Sequence, residues 1–231
     1  HYMPRFAGDE LPATASGIAV AIADRLDTLT GLFGINQPPT GSKDPFALRR
    51  AALGVLRIIV ERELDLDLRQ LLTIAADNHT SLPGREGLED KVLDFMLDRF
   101  RAWYEDAGIQ AGVFLSVLAL KPSRPLDFDR RVKAVSHFRN LVEAEALAAA
   151  NKRVSNILSK QGTLSQSEVN SNLLTETAEK ALADAVATQQ ATLEPLFAAG
   201  NYQAALESLS GLRETVDAFF EDVMVCLLYT S

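Results

Sequence analysis

Apolar residues recur at intervals of three and four along almost the whole sequence, and this period constrains the fold more than any other feature. Ile18, Ile22 and Leu26, for example, fall on one side of a helix. The segment 88–106 shows the same spacing over a longer stretch. Leu64–Leu68 alternates in the manner of a strand, but it is too short to count as one. The pattern therefore predicts an all-α fold, with a helical body followed by a helical bundle.

Proline and glycine residues divide this helical pattern into segments. Asp44 and Pro45 form a typical helix start, with Asp as the N-cap and Pro in the first turn. The proline-rich segment Lys121–Pro125 is the best linker candidate, so we expect two helical units that meet near residues 121–126. The predicted helices span 16–32, 45–60, 67–77, 88–106, 113–120, 127–141, 143–159, 173–197, 202–209 and 212–225.

The composition excludes several classes of protein. With 47% hydrophobic and 23% charged residues, the sequence fits an ordinary soluble globular chain that can bury a core. The single cysteine, Cys226, excludes a disulfide scaffold and a cysteine-based zinc site. No apolar run is long enough to span a bilayer. The formal net charge of −8, taken as a whole, argues against a nucleic-acid binder.

This charge is unevenly distributed, however. Residues 129–160 carry 7 basic and 3 acidic side chains, a net charge of +4, whereas residues 161–231 carry 2 basic and 10 acidic ones, a net charge of −8. Cations and amides on neighbouring helices suit contacts to the phosphates and bases of RNA. Ion pairs with the acidic C-terminal helices are the alternative explanation, and charge alone leaves both open. The candidate RNA-binding residues, which we call the basic island, are Arg130, Arg131, Lys133, His137, Arg139, Asn151, Lys152, Arg153, Asn156 and Lys160.

Four cations ahead of the basic island are also candidates for contacts to RNA. Lys43 lies in a loop that lacks the spacing of a P-loop, but the loop can present Lys43 and backbone amides to a phosphate at a helix N-terminus. Arg49, Arg50 and Arg57 either contact RNA or form ion pairs with Glu61 and its neighbours.

Metal and catalytic signals are weak. Asp24 and Asp27 are spaced i, i+3 on a predicted helix, but a metal site would need histidine partners. His1, His79 and His137 are scattered along the chain, so a solvent-exposed pair of carboxylates is the simpler interpretation. No catalytic triad or glycine-rich nucleotide loop is visible, and we predict no catalytic residue.

Both ends of the sequence suggest an internal part of a longer protein. The first residues do not form a signal-peptide pattern, and Met stands at position 3. Residues 226–231 form an apolar tail that follows an amphipathic helix without helix-stop chemistry.

Several strings of residues point to one protein family. The most specific is Thr40–Val60, which reads TGSKDPFALRRAALGVLRIIV. Further strings lie, in order, at 2–12, 21–28, 31–35, 94–104, 132–139, 148–158 and 217–225. Together they resemble the β subunit of bacterial glycyl-tRNA synthetase over residues 2–225.

In that family an α/β hetero-oligomer ligates glycine to tRNA(Gly), and the α subunit carries the adenylate-forming site that uses ATP and Mg²⁺. The resemblance implies a cytoplasmic, tRNA-binding chain that is inactive alone and holds no cofactor of its own. Its implied partners are the α subunit and tRNA(Gly), rather than DNA or a membrane. The implied domains are the end of an HD-type domain at 1–35, a helical body at 36–126, an incomplete DALR-like anticodon-binding domain at 127–225 and a tail outside the family pattern at 226–231.

Two alternatives stay open beside this interpretation. An HD-type metal-dependent phosphohydrolase is one, because Asp24 matches the last aspartate of the HD pattern. A helical scaffold without a role in RNA binding is the other, and it predicts that charge reversal in the basic island leaves tRNA affinity unchanged. If the anticodon-binding bundle lacks its last helix, apolar residues such as Phe219, Phe220 and Val223 would be exposed.

Overall fold

The computed structural model describes residues 3–6, 8–160, 169 and 171–223. Within these ranges the structure is helical, and the β-type pairing is limited to one isolated bridge between Thr40 and Lys43, so the predicted all-α fold is confirmed. None of the helices in this part of the chain is long and apolar enough to cross a membrane. The helices are α1 (Ala15–Gly34), α2 (Leu48–Glu61), α3 (Leu68–Asp77), α4 (Leu88–Asp106), α5 (Ala111–Leu118), α6 (Pro125–Phe138), α7 (Ala144–Lys160), α8 (Thr177–Ala198), α9 (Tyr202–Ser210) and α10 (Arg213–Asp222), with a 3₁₀ turn at Ser171–Leu173.

The chain divides into two compact units, His1–Val132 (unit 1) and Lys133–Ser231 (unit 2). In unit 1, α2 packs against both α1 and α4, and eight of its 14 residues are buried. Leu56, Ile58 and Ile59 are fully buried among them. Because hydrophobic stabilisation grows with the apolar area removed from water, α2 forms the centre of the core of unit 1.

The start of α2 differs from the sequence prediction. A helix beginning at Pro45 is wrong, because Ala47 has a left-handed backbone (φ 55°) and the helix begins at Leu48. Asp44 still caps α2: its carboxylate accepts hydrogen bonds from the backbone N–H groups of Leu48 (2.8 Å) and Arg49 (3.0 Å). The residues between Asp44 and Leu48 therefore form a capped turn instead of a first helical turn.

The other helix boundaries lie close to the predicted ones. The predicted segment 88–106 coincides with α4. The predicted helix 67–77 begins one residue later, and Asp67 caps it by accepting hydrogen bonds from the backbone N–H groups of Arg69 (2.9 Å) and Gln70 (3.3 Å). The remaining described ends differ by up to four residues, more than the one or two residues that are usual at helix termini. The predicted end at residue 225 lies outside the described residues.

The first turns of α6 pack with unit 1, so the division between the units lies within α6 rather than in the proline-rich segment before it. Phe128 is fully buried, and its ring centroid lies 5.3 Å from that of Phe100 and 5.4 Å from that of Phe114. The hydroxyl of Tyr104 donates a hydrogen bond to Asp129 Oδ1 (3.0 Å) in the same cluster. Ring contacts and a buried hydrogen bond thus join α4, α5 and α6.

The segment before α1 is held against unit 1 by arginines that bind its backbone carbonyls. Arg25 is buried and donates to the carbonyl oxygen of Pro4 (3.0 Å), and Arg57 donates to that of Asp9 (3.2 Å). Gly54 permits this close approach, because a Cβ atom there would lie 3.0 Å from Arg25 Nε. These arginines therefore serve the fold of unit 1.

Unit 2 has a thinner core than unit 1. Larger apolar side chains such as Phe197 (45% exposed) and Leu158 (46% exposed) remain in contact with solvent. Phe219, Phe220 and Val223 would be exposed if the bundle lacked its last helix. In the structure all three are half-buried, so they are only partly exposed. Because little large apolar area is removed from water, we expect unit 2 to be the less stable of the two. The buried apolar side chains among its described residues are all alanines: Ala134, Ala144, Ala178 and Ala205.

Candidate nucleic-acid interface

The basic island occupies α6, the turn after it, and α7. Arg130 and Arg131 belong to unit 1, and the remaining members belong to unit 2. Arg131 is half-buried, and the side chain of Lys160 lies outside the described residues. The exposed members are Arg130, Lys133, His137, Arg139, Asn151, Lys152, Arg153 and Asn156.

Arg131 and His137 of the basic island each contact an acidic residue of their own unit. Arg131 Nε lies 2.7 Å from Asp127 Oδ2, one helical turn earlier. His137 Nε2 lies 2.8 Å from Glu207 Oε1 on α9, a contact that is an ion pair when the imidazole is protonated. Glu207 belongs to the acidic C-terminal helices. The His137 contact is therefore the kind expected if the basic island pairs with those helices instead of binding RNA.

Arg153 joins α7 to α10. Its guanidinium carbon lies 3.9 Å from the centroid of the Phe220 ring, within the range of a cation–π interaction. A cavity of about 330 Å³ beside this contact is also lined by Asp217 and Glu221. Arg153 is therefore exposed but surrounded by acidic residues, and a contact between Arg153 and RNA stays a prediction.

Three exposed cations of the basic island form no ion pair with any residue that the structure describes. They are Arg130 on α6, Arg139 after the end of α6, and Lys152 on α7. Asn151 and Asn156 are exposed on α7 as well. These cations can meet phosphate groups without first losing an internal partner.

The first amides of α2 have a partner within the chain, and a contact between Lys43 and a phosphate stays a prediction. The amides of Leu48 and Arg49, the first of α2, already bind the Asp44 carboxylate. A carboxylate in that place occupies the donors and repels a second anion. The side chain of Lys43 is exposed, and its backbone pairs with that of Thr40 through N–O distances of 2.9 and 3.1 Å.

Arg49 and Arg50 lie in different surroundings. Arg49 donates to the carbonyl oxygen of Gly41 across the loop. Arg50 is exposed and has no ion-pair partner in the described part of the chain. Pairing with Glu61 is confirmed for Arg57, at 2.7 Å, whereas Arg49 lies 3.9 Å from the carboxylate of Asp44 instead.

The carboxylates of α1 do not gather into a metal site with the residues described. Asp24 is exposed at the rim of an apolar groove of about 730 Å³ between α1 and α3. Asp27 Oδ1 lies 3.2 Å from His79 Nε2, but without hydrogen-bond alignment. No three His, Cys, Asp or Glu side chains in the described ranges are grouped so that they could hold a metal ion. Asp24 as a metal ligand stays a prediction.

No sequence pattern predicts which residues contact His137 and Arg153 in the structure. Glu207 and Phe220 lie far along the chain from His137 and Arg153, and helical spacing relates only residues within one helix. Phe46 lies in the helical pattern of the sequence, yet it is 50% exposed in the structure. Phe46 lies in the turn that precedes α2, and no sequence pattern predicts the conformation of that turn.

Comparison with known proteins gives a consistent assignment. The family model described as the glycyl-tRNA synthetase beta subunit matches residues 1–119. The model of the DALR anticodon binding domain matches residues 147–227, which include α7 to α10.

Curated relatives named glycine–tRNA ligase beta subunit match nearly the whole chain. The protein of Photobacterium profundum is 61% identical over 224 residues, and that of Glaesserella parasuis is 60% identical over 224 residues; both alignments cover 97% of this chain and 32% of the relative. The protein of Pseudomonas aeruginosa is 59% identical, with 97% of this chain and 33% of the relative covered. The chain thus spans about a third of the length of the curated relatives that it matches. It belongs to the glycyl-tRNA synthetase β-subunit family.

Proposed function

We propose that this chain is the tRNA-binding portion of the β subunit of a glycine–tRNA ligase. The observation that carries the proposal is the position of the exposed cations of unit 2, Arg139 and Lys152. The DALR match begins within α7, which carries Lys152, and continues through α8 to α10. Lys152 lies within this match and Arg139 precedes it, and neither has an ion-pair partner among the described residues. Both can therefore contact the backbone of tRNA(Gly), because phosphate contacts dominate the affinity of proteins for nucleic acids.

In this proposal the chain contributes binding, and the α subunit contributes the chemistry. The α subunit binds ATP and Mg²⁺ and forms the glycyl-adenylate, while the β subunit holds tRNA(Gly) for the transfer of glycine. The site of action is the cytoplasm, and neither DNA nor a membrane is a partner. We also propose that this chain alone does not support glycine-dependent ATP–pyrophosphate exchange.

The division of labour can be tested with the reconstituted α/β enzyme. The variant carries Arg130→Gln, Arg139→Gln and Lys152→Gln in the full-length β subunit. We expect the KM for tRNA(Gly) to rise by roughly tenfold or more, because phosphate contacts are lost. Glycine-dependent ATP–pyrophosphate exchange should keep its rate, because that half-reaction uses no tRNA.

A matched control replaces three cations of unit 1 that already have acidic partners. Arg69 pairs with Asp90, Arg101 with Glu105, and Lys121 with Asp94. Replacing all three by Gln changes the net charge equally, but we expect it to leave the KM for tRNA close to that of the wild type. An unchanged KM in the basic-island variant would support the scaffold alternative, and a parallel loss of pyrophosphate exchange would contradict the division of labour.

A further inference from the structure

The cavity between α7 and α10, which we call the α7–α10 cavity, combines an arginine, an aromatic ring and two carboxylates. Its volume is about 330 Å³. Ligand pockets in proteins measure roughly 300–1,000 Å³, so this one has room for a group as small as a single nucleobase. The residues that line it are Ala146, Ala149, Ala150 and Arg153 on α7, and Asp217, Phe220 and Glu221 on α10.

The spacing of residues on both helices explains this cavity. Residues 146, 149, 150 and 153 share one face of α7, and residues 217, 220 and 221 share one face of α10. The two helices contact each other. Because three positions on the α7 face are alanines, a space stays open between the helices that larger side chains would fill.

The charged groups of the cavity are not paired with one another. The Arg153 guanidinium lies over the Phe220 ring, 3.9 Å from its centroid, and donates no hydrogen bond to any residue that the structure describes. Glu221 is exposed and has no ion-pair partner in the same ranges. Asp217 Oδ2 lies 3.7 Å from Arg213 Nε, which is too long for a hydrogen bond. The cavity therefore offers a planar cation and two free acceptors to a ligand.

This combination suits a nucleobase better than a phosphate. The carboxylates would repel a phosphate, but they can accept hydrogen bonds from the amino group of a neutral base. A base can stack on the plane of an arginine guanidinium. Phe220 covers one face of the Arg153 guanidinium, and Arg153 remains exposed, so a ligand can reach this cation.

We propose that the α7–α10 cavity binds an unpaired cytosine of the anticodon of tRNA(Gly). The base stacks on the Arg153 guanidinium, which Phe220 supports from behind, and the amino group of the base donates to Glu221 and Asp217. The inference rests on the proposed function, since it requires that the chain bind tRNA(Gly). It assigns to that function a site that recognises a base, in addition to the cations that contact phosphates.

Two observations favour cytosine as the ligand. The match to the DALR anticodon binding domain covers residues 147–227, which include Arg153 and the whole of α10. Glycine codons begin with two guanines, so the anticodon of tRNA(Gly) contains two cytosines. Cytosine carries an amino group where uracil carries a carbonyl oxygen, and the carboxylates of the cavity would repel that oxygen.

The first test measures the preference for cytosine over uracil with the full-length β subunit. The ligands are a tRNA(Gly) transcript and two further transcripts in which one or the other anticodon cytosine is replaced by uracil. We expect one of the two replacements to weaken binding to the wild type by roughly tenfold, the effect of one base-specific contact. Glu221→Gln should largely remove this preference, because a glutamine amide can donate to uracil as well as accept from cytosine.

Asp222→Asn is the matched control for Glu221→Gln. Asp222 is the next residue of α10, is also exposed and does not line the cavity, and its substitution changes the net charge equally. We expect this variant to keep the wild-type preference for cytosine. The preference is a ratio of two affinities of the same protein, so a loss of folded protein does not imitate the expected result. If Glu221→Gln keeps the wild-type ratio, or if Asp222→Asn loses it to the same extent, the inference is wrong.

The second test separates stacking from a phosphate contact. Arg153→Lys keeps the positive charge but removes the planar group. We expect it to weaken binding of the unmodified transcript by roughly tenfold, the effect of losing one stacked base, with an unchanged slope of log K against log salt. If Arg153 contacts a phosphate instead, the Lys variant should bind as tightly as the wild type, and stacking on Arg153 is rejected.

Failure of this inference can be distinguished from failure of the proposed function. If the variant of Arg130, Arg139 and Lys152 loses affinity for tRNA(Gly) while the wild type does not distinguish cytosine from uracil, the proposed function stands and the base site is rejected. If the wild-type β subunit has no measurable affinity for tRNA(Gly) at any salt concentration, both are rejected.

Discussion

The buried hydrogen bond between Tyr104 and Asp129 permits a quantitative prediction for the stability of unit 1. Tyr104→Phe removes one oxygen atom and leaves the ring in place among Phe100, Phe114 and Phe128. Both partners are 5% exposed, and the O–O distance is 3.0 Å. A hydrogen bond to a charged group contributes about 1.5–3 kcal/mol, so we expect the free energy of unfolding to fall by about 2 kcal/mol at pH 7.

The same pair predicts a dependence on pH. Burial, reinforced by the negative charge of Asp129 and by their hydrogen bond, raises the pKa of the Tyr104 hydroxyl well above its ordinary value. A folded-state pKa above the unfolded value means that the associated stability is complete below about pH 10 and is lost as the pH rises beyond that. The wild type should therefore lose about 1.4 kcal/mol for each further pH unit on account of Tyr104, and the Phe variant should not.

Trp103 provides the assay, because it is the single tryptophan of the chain and its ring centroid lies 5.5 Å from that of Tyr104. Urea unfolding followed by its fluorescence from pH 7 to pH 11 compares the wild type with Tyr104→Phe. Tyr202→Phe, in unit 2, is the control and should not alter the transition reported by Trp103. This account of the pair is refuted if the wild type and Tyr104→Phe are equally stable at pH 7 and lose stability in parallel above pH 10.

Two further predictions concern packing. Gly34→Ala should destabilise unit 1 by about 1–3 kcal/mol, because a Cβ atom there would lie 2.6 Å from Leu82 Cδ2 and 3.1 Å from Leu82 Cγ. Urea unfolding measures this loss, and an unchanged unfolding midpoint would contradict the prediction. Leu56→Ala, at a fully buried site of unit 1, should cost about 3–5 kcal/mol, whereas Leu158→Ala in unit 2, where the side chain is 46% exposed, should change stability by less than about 1 kcal/mol. Equal losses for the two leucine variants would contradict the view that unit 2 has the thinner core.

Helix type and most helix boundaries follow from the sequence, because amphipathic spacing and capping are local properties. The predicted segments 88–106 and 67–77 are examples in which the sequence pattern and the structure agree closely. The start of α2 was not predictable in this way. Asp44 and Pro45 fit a helix start, but the left-handed conformation of Ala47 delays the helix while Asp44 reaches forward to cap it.

The division of the chain depended on contacts between residues that are distant in sequence. Proline residues at 122 and 125 favoured a junction before α6, yet Phe128 completes the aromatic cluster of unit 1. Such a cluster requires α4, α5 and α6 to meet, and no local pattern states that they do. Tertiary packing therefore decided where the first unit ends.

The basic island was predictable as a charge pattern, but its internal partners were not. Local net charge showed that residues 129–160 differ from the rest of an acidic chain. The structure then separates His137, which contacts Glu207, and Arg153, which contacts Phe220, from cations that remain unpaired among the described residues, such as Lys152. This distinction selects which substitutions test binding to RNA most cleanly.

The salt dependence of tRNA(Gly) binding by the full-length β subunit tests the central claim most directly. The comparison is between the wild type and the triple variant of Arg130, Arg139 and Lys152 to Gln. If these side chains contact phosphates, the slope of log K against log salt falls by about two units or more, since each contact contributes about 0.7–0.9. Identical slopes and affinities for the two proteins would contradict the claim that these cations bind tRNA.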